Sequence, residues 1–197
     1  MKRTMLIVIF VMSGALVLTA CEEEASGPCG DGMQATVIQV IDGDTIKVDG
    51  LDATVRLVGI DTPETNGTNS QDCPAPWSEM SLEDQVTYSE TCCYGSEAKT
   101  ALTVQLPAGT EVCLVNPAGG ALNKGVYDRY LADVYVNQAW INGKMVSGGY
   151  ARPSQDWPHP THQALLDAFS AKAYAAGAGL WGACGGSGAE VADPCLP

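Results

Sequence analysis

Basic residues are scarce in this chain. Its 197 residues include 10 Lys and Arg against 23 Asp and Glu, which gives a formal net charge of −13. Binding a polyanion through bulk electrostatics requires a basic surface. The charge balance therefore excludes a generic nucleic-acid coat, and any contact with phosphate has to come from a local site that works against the overall field.

Charged residues of both signs are also few. They make up 17% of the chain, while hydrophobic residues make up 46%. This composition is too apolar and too weakly charged for a chain that is disordered by composition. At this length one core can bury roughly 70% of the surface of the unfolded chain. We therefore expect one globular domain whose folding does not depend on disulfides.

The N-terminus lacks an apolar run long enough to cross a membrane as a helix. The run at 5–18 follows Lys2 and Arg3, and it is shorter than the ~20 residues that a spanning helix needs. A charged start, a short apolar stretch and the small residues Thr19 and Ala20 are typical of a secretory signal peptide, here residues 1–20. An uncleaved anchor and an ordinary signal cleaved nearby are the alternatives.

The sequence LTAC at 18–21 resembles the lipobox of bacterial lipoproteins. The resemblance implies that Cys21 is lipidated and becomes the first residue of the mature protein. Residues 21–34 are then a flexible, lipid-anchored tether. We expect an extracytoplasmic protein attached to a bacterial membrane through Cys21. Glu22 follows the cysteine, which resembles the sorting signal of lipoproteins in the outer membrane. If the source is Gram-negative, we therefore expect the protein to be anchored in that membrane.

A chain of this size does not need disulfides for stability. The mature chain would nevertheless keep seven cysteines beyond Cys21. Export favours disulfides, and an odd number leaves at least one thiol unpaired or paired elsewhere. The pairing is not readable from the sequence. A bond between Cys92 and Cys93 is disfavoured, because neighbouring Cα atoms lie ~3.8 Å apart, below the usual disulfide range.

Hydrophobic periodicity predicts five strands and three helices. The helices are expected over 96–106, near 141–147, and from an N-cap at Thr161 to about 176. The stretch 65–93 shows no sustained periodicity and carries three cysteines, so we expect a long loop pinned by disulfides. The tail 183–197 is expected to be loop-like. The predicted strands cover 35–41, 45–48, 54–60, 111–115 and 130–136.

Acidic residues and arginines recur at the ends of these strands. Carboxylate and carbonyl oxygens suit a hard cation such as calcium, and two arginines suit the oxygens of a phosphate whose charge rises in a displacement. A further carboxylate could deprotonate water. Together these parts indicate phosphodiester hydrolysis, although each alone could be a turn or a solvated surface residue. The residues concerned are Asp42, Asp44, Arg56, Asp61, Thr62, Glu64 and Arg129.

The order of these residues resembles the staphylococcal nuclease (thermonuclease) family over roughly residues 35–182. The resemblance implies an α+β protein, mainly β, built as a five-stranded OB-type barrel with three helices. It also implies a calcium-dependent nuclease that cuts DNA and RNA and leaves 3′-phosphates. The segments that carry it are VIDGDT at 40–45, VRLVGIDTPET at 55–65, YGSEA at 94–98, YDRYLA at 127–132, GYAR at 149–152, HQALL at 162–166 and GLW at 179–181.

The same resemblance assigns roles to single residues. Asp44, Asp61 and the backbone carbonyl of Thr62 would bind Ca²⁺, and Asp42 would lie beside the ion without binding it. Glu64 would be the general base. Arg56 and Arg129 would hold the phosphate and stabilise the transition state.

The sequence departs from the family pattern around the expected nucleotide pocket. Val126 stands where a pocket lysine is expected, and 153–157 lacks the expected tyrosine pair, so that Trp157 is the aromatic residue available for stacking on a base. His162 is expected to be structural. We expect a monomer that acts on single- or double-stranded nucleic acid. The alternatives are a nuclease-like binding or structural lipoprotein domain without activity, and a disulfide-rich interaction lipoprotein.

Overall fold

The computed structural model describes residues 29–65, 75, 79–88 and 91–184, and the backbone of two short segments near the N-terminus. In those segments β1 (Val11–Met12) pairs antiparallel with β2 (Ala15–Leu16). Cys21, most of the tether, and the tail beyond Cys184 lie outside the described residues. Among the helices that the structure describes, none has the length and apolar character required to cross a membrane.

Five strands close into a barrel, as the sequence predicts. The barrel strands are β3 (Met33–Asp42), β4 (Thr45–Val48), β5 (Val55–Leu57), β7 (Glu111–Val115) and β8 (Tyr130–Val136). Strand β3 pairs antiparallel with both β4 and β7, β4 pairs with β5, β7 pairs with β8, and a parallel pairing of β5 with β8 closes the ring. A short β9 (Ala139–Trp140) extends β8 as a hairpin.

The predicted strand 54–60 is wrong as a single element. The chain leaves the barrel at the end of β5, turns at Val58 and Gly59, and continues as β6 (Ile60–Asp61), which pairs with β10 (Arg152–Pro153). Gly59 has a φ of 74°, a left-handed conformation that favours glycine. The turn changes the direction of the chain just before the acidic segment that follows Ile60.

Five helices occur in the described part of the chain, and they include the three that the sequence predicts. These three are α2 (Gly95–Gln105), α3 (Ile141–Ser147) and α4 (Gln163–Ala175). The additional ones are α1 (Leu82–Tyr88) and α5 (Leu180–Ala183). The largest core side chains come from the barrel interior and the inner faces of α2, α3 and α4, and they include Ile46, Leu57, Leu102, Leu114, Ile141, Met145 and Leu166.

Helix α1 lies in the stretch expected to have no regular structure. Its start is stabilised by Ser81, whose Oγ accepts a hydrogen bond from the backbone N–H of Asp84 at 3.1 Å and donates to the Asp84 carboxylate at 2.7 Å. Ser81 thus caps the helix N-terminus through its side chain, and the spacing Ser-x-x-Asp was the signal in the sequence. The expected N-cap of α4 at Thr161 is also wrong, because the cap residue is His162.

Two disulfides connect the first and last described segments of the domain to residues in its middle. Cys29 is bonded to Cys113 on β7, and Cys93 is bonded to Cys184 at the end of α5. Cys92 is also disulfide-bonded. The expectation that Cys92 and Cys93 are not bonded to each other is therefore confirmed, and the Cys93 bond pins the end of the 65–93 stretch as expected.

Candidate active site

A cleft of about 530 Å³ opens beside the end of β5 and the start of β8. Its walls come from three separate parts of the chain: the turn and acidic segment after β5, the connection between β7 and β8, and the loop after β10. Four of the residues that the sequence predicts for the site line it together, namely Arg56, Asp61, Glu64 and Arg129. The barrel thus brings into one cleft side chains that are up to 73 positions apart in the sequence.

Asp44 lies beneath this cleft and is 2% exposed. One carboxylate oxygen accepts hydrogen bonds from the backbone N–H of Thr62 at 3.1 Å and from the Thr62 hydroxyl at 2.8 Å. The other accepts from the Thr45 hydroxyl at 2.9 Å and forms an ion pair with Arg56. A buried charge requires such partners, and these contacts join the first turn, β5 and the acidic segment.

The guanidinium of Arg56 lies between two carboxylates. It pairs with Asp44 and with Asp61, and its Nη2 also donates to the carbonyl of Ile60 at 3.1 Å. Burial lowers the pKa of Arg56, the negative charge of Asp61 raises it, and the positive charge of Arg129 lowers it. The two arginines are therefore close enough for their charges to oppose each other, and an anion between them would relieve that repulsion.

Glu64 has a perturbed acidity. Its pKa is raised to about 7, first because surrounding protein atoms displace water from the carboxyl and second because of the negative charge of Asp42, with which it also shares a hydrogen bond. Asp61 adds to the rise, whereas Arg56 opposes it. A carboxyl group with a pKa near neutrality can accept a proton from water and release it again, which is the property of a general base.

Arg129 immediately precedes β8 and lines the same cleft as the acidic segment. Its carbonyl accepts a hydrogen bond from the N–H of Gly125 at 2.8 Å, which closes the turn before the strand. Its guanidinium lies 5.6 Å from the ring centroid of Tyr127. Such cation–π contact orients the guanidinium while leaving its donors available to a ligand.

The cleft also carries exposed apolar residues. Tyr127 is 70% exposed, Val126 is 76% exposed and Trp157 is 60% exposed, and all three line the cleft. Val126 supplies no charge there. The walls thus combine two guanidinium groups with aromatic surface, a combination suited to a ligand that has both phosphate and flat rings.

Sequence reasoning missed a buried polar cluster that supports the cleft. Nδ1 of His159 accepts hydrogen bonds from the backbone N–H groups of His162 at 3.0 Å and Thr161 at 3.2 Å. The proton of the neutral ring is therefore on Nε2, which donates to the Asp133 carboxylate at 3.0 Å. Trp140 Nε1 donates to the same carboxylate. The cluster ties β8 to the loop that carries Trp157.

Asn142 is a second buried polar residue behind the site. Its side chain accepts a hydrogen bond from the N–H of Val134 and donates to the carbonyls of Val58 and Ala132. It thus holds the turn after β5 against β8. The sequence contained a signal for this role, because Asn142 falls among the apolar residues of a predicted helix and a buried amide requires specific hydrogen-bond partners.

The predicted metal ligands fit a cation by their chemistry. Asp44 and Asp61 converge on one positively charged group, the Arg56 guanidinium, and hard oxygen donors are what calcium takes. No three His, Cys, Asp or Glu side chains in the described ranges cluster tightly enough to enclose an ion by themselves. The carbonyl of Thr62 and water would have to complete the coordination.

The structure defines a protein with a closed OB-type barrel whose cleft is lined by two arginines and by the carboxylates of Asp61 and Glu64, a set suited to a phosphate ester. The sequence model described as "Staphylococcal nuclease homologue" matches residues 54–183. The chain belongs to the staphylococcal nuclease family. The matched range contains Arg56, Asp61, Thr62, Glu64 and Arg129, and membership of this family supports its assignment as a nuclease.

A curated relative extends the similarity toward the N-terminus of the chain. Thermonuclease from Staphylococcus hyicus is 28% identical over 194 residues, which cover 92% of this chain and 99% of the relative. The similarity thus includes the turn between β3 and β4, where Asp42 and Asp44 lie, although the family match begins after it.

Proposed function

We propose that this protein is a calcium-dependent nuclease that hydrolyses phosphodiester bonds of DNA, RNA or both and leaves 3′-phosphate products. The observation that carries the proposal is the convergence of Arg56, Arg129 and Glu64 in one cleft. A phosphodiester that enters this cleft meets two guanidinium groups and a carboxyl group with a pKa near 7.

Arg56 and Arg129 have the chemistry to hold the scissile phosphate. Each guanidinium presents paired N–H donors that match two phosphate oxygens. Burial is the main reason that the pKa of Arg56 is lowered, and the positive charge of Arg129 adds to the effect. An anion bound by both guanidinium groups would offset their mutual repulsion. The negative charge on the phosphate oxygens grows during displacement, so the same contacts strengthen toward the transition state.

Glu64 is the residue suited to activate water. In its deprotonated form it can accept a proton as the water oxygen attacks phosphorus, and it is carried on the cleft wall that also bears Asp61. The Glu64 carboxyl forms a hydrogen bond with the carboxylate of Asp42. The role of Asp42 is to set the acidity of Glu64 rather than to contact the substrate.

Calcium would be held by Asp44, Asp61 and the carbonyl of Thr62. When bound, the ion supplies positive charge that neutralises phosphate oxygens and favours deprotonation of water. Arg56 now pairs with both carboxylates. A cation that takes their oxygens would release this guanidinium toward the cleft, so the ion and the phosphate are expected to bind cooperatively.

Removal of calcium is expected to abolish hydrolysis. The purified protein should degrade single-stranded DNA in the presence of calcium, stop when a chelator is added, and resume when calcium is restored. End-group analysis should find phosphate on the 3′ ends. Hydrolysis that continues at full rate through chelation would contradict the assignment of Asp44 and Asp61, and 5′-phosphate ends would contradict the product assignment.

The proposal also covers the cellular location of the protein. The LTAC sequence at 18–21 supports a lipid anchor at Cys21 and an extracytoplasmic position on a bacterial membrane. Replacing Cys21 with serine removes the sulfur that would carry the lipid, so we expect the protein to move from the membrane fraction to the soluble fraction after cell fractionation. Cys29→Ser is the matched control, because that sulfur is in a disulfide. Equal membrane retention of wild type and Cys21→Ser would refute the anchor.

The second candidate is a binding or structural domain without catalysis. The acidic composition and the absence of a charge at Val126 favour weak nucleic-acid binding. A pure binding domain, however, has no use for a carboxyl group whose pKa is raised to about 7 in the same cleft as two arginines. Product formation in the calcium assay separates the two functions directly.

A further inference from the structure

Glu64 is carried by backbone that belongs to no helix or strand. Residues 62–65 follow β6 as irregular chain, so their position depends on contacts with neighbouring segments. The backbone N–H of Glu64 donates a hydrogen bond of 2.6 Å to the carbonyl of Thr91. We call residues 91–95, on which this segment rests, the shelf.

The shelf approaches Glu64 closely at Gly95. A Cβ at position 95 would overlap the carbonyl oxygen of Glu64 and would lie 2.8 Å from the carbonyl oxygen of Pro63. Gly95 is buried and has no positive φ. Glycine is therefore required at this position by the proximity of the two backbones and not by its own conformation.

The shelf is in turn fixed from behind by a disulfide. Cys93, two residues after Thr91, is bonded to Cys184 and packs with it and Leu180 in a buried apolar cluster. The N–H of Leu180 donates to the carbonyl of Gly149 at 2.8 Å, so α5 is attached to the chain just after α3. A continuous series of contacts thus runs from α3 through the disulfide to the backbone of Glu64.

We propose that the Cys93–Cys184 disulfide is a positioning device for the Glu64 carboxyl, so that the rate of hydrolysis depends on this bond being oxidised. The proposal rests on the nuclease function proposed above. Without the bond, the shelf loses its covalent attachment to α5, while Cys92 keeps its own disulfide, and the backbone of Glu64 is held less firmly. A misplacement of about 1 Å at a reacting group can reduce a rate by about 10²-fold, so even a small shift of the shelf should be measurable.

The second described disulfide is a matched control. Cys29–Cys113 spans 84 positions of sequence and Cys93–Cys184 spans 91, so the two bonds restrict the unfolded chain to a similar extent. Cys29 and Cys113 do not line the cleft. Loss of either bond should lower stability comparably, whereas only loss of Cys93–Cys184 should alter catalysis.

The test compares the double variants Cys93→Ser/Cys184→Ser and Cys29→Ser/Cys113→Ser with the wild type. The kcat and KM for calcium-dependent hydrolysis of single-stranded DNA are measured at a temperature where circular dichroism finds all three folded. We expect kcat to fall about tenfold or more in the first variant, with little change in KM, and to remain close to the wild-type value in the second. Equal kcat values in the two double variants would overturn the proposal.

A variant that leaves every cysteine in place tests the same support independently. Gly95→Ala should push the Glu64 backbone away from the shelf and lower kcat. Ser96→Ala, one residue further along α2 and exposed, should leave kcat unchanged. If Cys93→Ser/Cys184→Ser does not fold, the comparison of Gly95→Ala with Ser96→Ala tests the positioning role alone. A wild-type kcat in Gly95→Ala would then overturn the proposal.

The outcomes separate this proposal from the one on which it rests. A wild-type protein that does not hydrolyse nucleic acid in calcium would overturn the nuclease function and the positioning role with it. An active wild type whose kcat survives both loss of Cys93–Cys184 and Gly95→Ala would overturn the positioning role alone.

Discussion

Replacing Arg129 with alanine is expected to lower kcat/KM by about 10²-fold or more. The variant loses one of the two guanidinium groups in the cleft, and with it the contacts that strengthen as charge builds on the phosphate. The fold should be retained, because the described contacts of the Arg129 side chain are limited to the face of Tyr127. Steady-state kinetics with single-stranded DNA in calcium measures the loss.

Two further variants distinguish the paired donors of Arg129 from its charge alone. Arg129→Lys keeps the positive charge but loses the paired donors, so it should recover only part of the activity. Lys172→Ala removes a positive charge from the exposed end of α4, outside the cleft, and should leave kcat/KM unchanged. If Arg129→Ala and Lys172→Ala were equally active, Arg129 would have no role beyond the net charge of the protein.

Replacing Glu64 with glutamine is expected to lower kcat by about 10²-fold or more, because an amide of nearly the same shape cannot accept the proton of the attacking water. The exposed Glu97 in the first turn of α2 provides the matched control. Glu97→Gln makes the same chemical change outside the cleft and should leave kcat unchanged. Full activity in Glu64→Gln would exclude Glu64 as the base.

The same carboxyl group sets a pH dependence. Its pKa is raised to about 7, so the protonated form, which cannot act as a base, accumulates as pH falls through that value. Activity of the wild type should therefore decline on the acidic side of neutrality. Because hydrolysis is expected to require calcium, the profile is recorded from the lowest calcium concentration that supports activity up to saturation. Higher calcium favours the charged carboxylate and should move this decline to lower pH. The residual activity of Glu64→Gln should lack the decline, and an unchanged acidic limb in that variant would assign it to another group.

The candidate site residues could be selected from sequence because they lie in short, characteristic segments, and the structure brings Arg56, Asp61, Glu64 and Arg129 into one cleft. The turn at Asp42–Asp44, the strand at Arg56 and the acidic segment after Ile60 are local patterns, and strand ends are where loops can carry functional side chains. The closed five-stranded barrel and the three main helices also follow from local periodicity and from the family resemblance, and the structure confirms them. The assigned role of each site residue stays a prediction until the variants are measured.

Other features could not be read from local patterns. The break of the third strand at Gly59 depends on β6 pairing with β10, a contact across more than 90 positions of sequence. The buried cluster around His159 and Asp133 likewise joins residues that only the barrel brings together. Helix α1 was the exception, because its Ser81 cap was visible in the sequence but the surrounding polarity obscured it.

Composition by itself determined the shortage of basic residues, and the motifs indicated the fold class through the family resemblance. The motifs also predicted which two arginines and which carboxylates are candidates for chemistry. Only the tertiary structure decided how these charges meet. Arg56 joins Asp44 to Asp61, Arg129 lines the same cleft, and burial together with the charge of Asp42 raises the pKa of Glu64 to about 7. The tertiary structure also decided that Cys29 pairs with Cys113 and Cys93 with Cys184. The physical reason is that charge interaction and disulfide bonding depend on distance and burial in space, and closure of the barrel sets both.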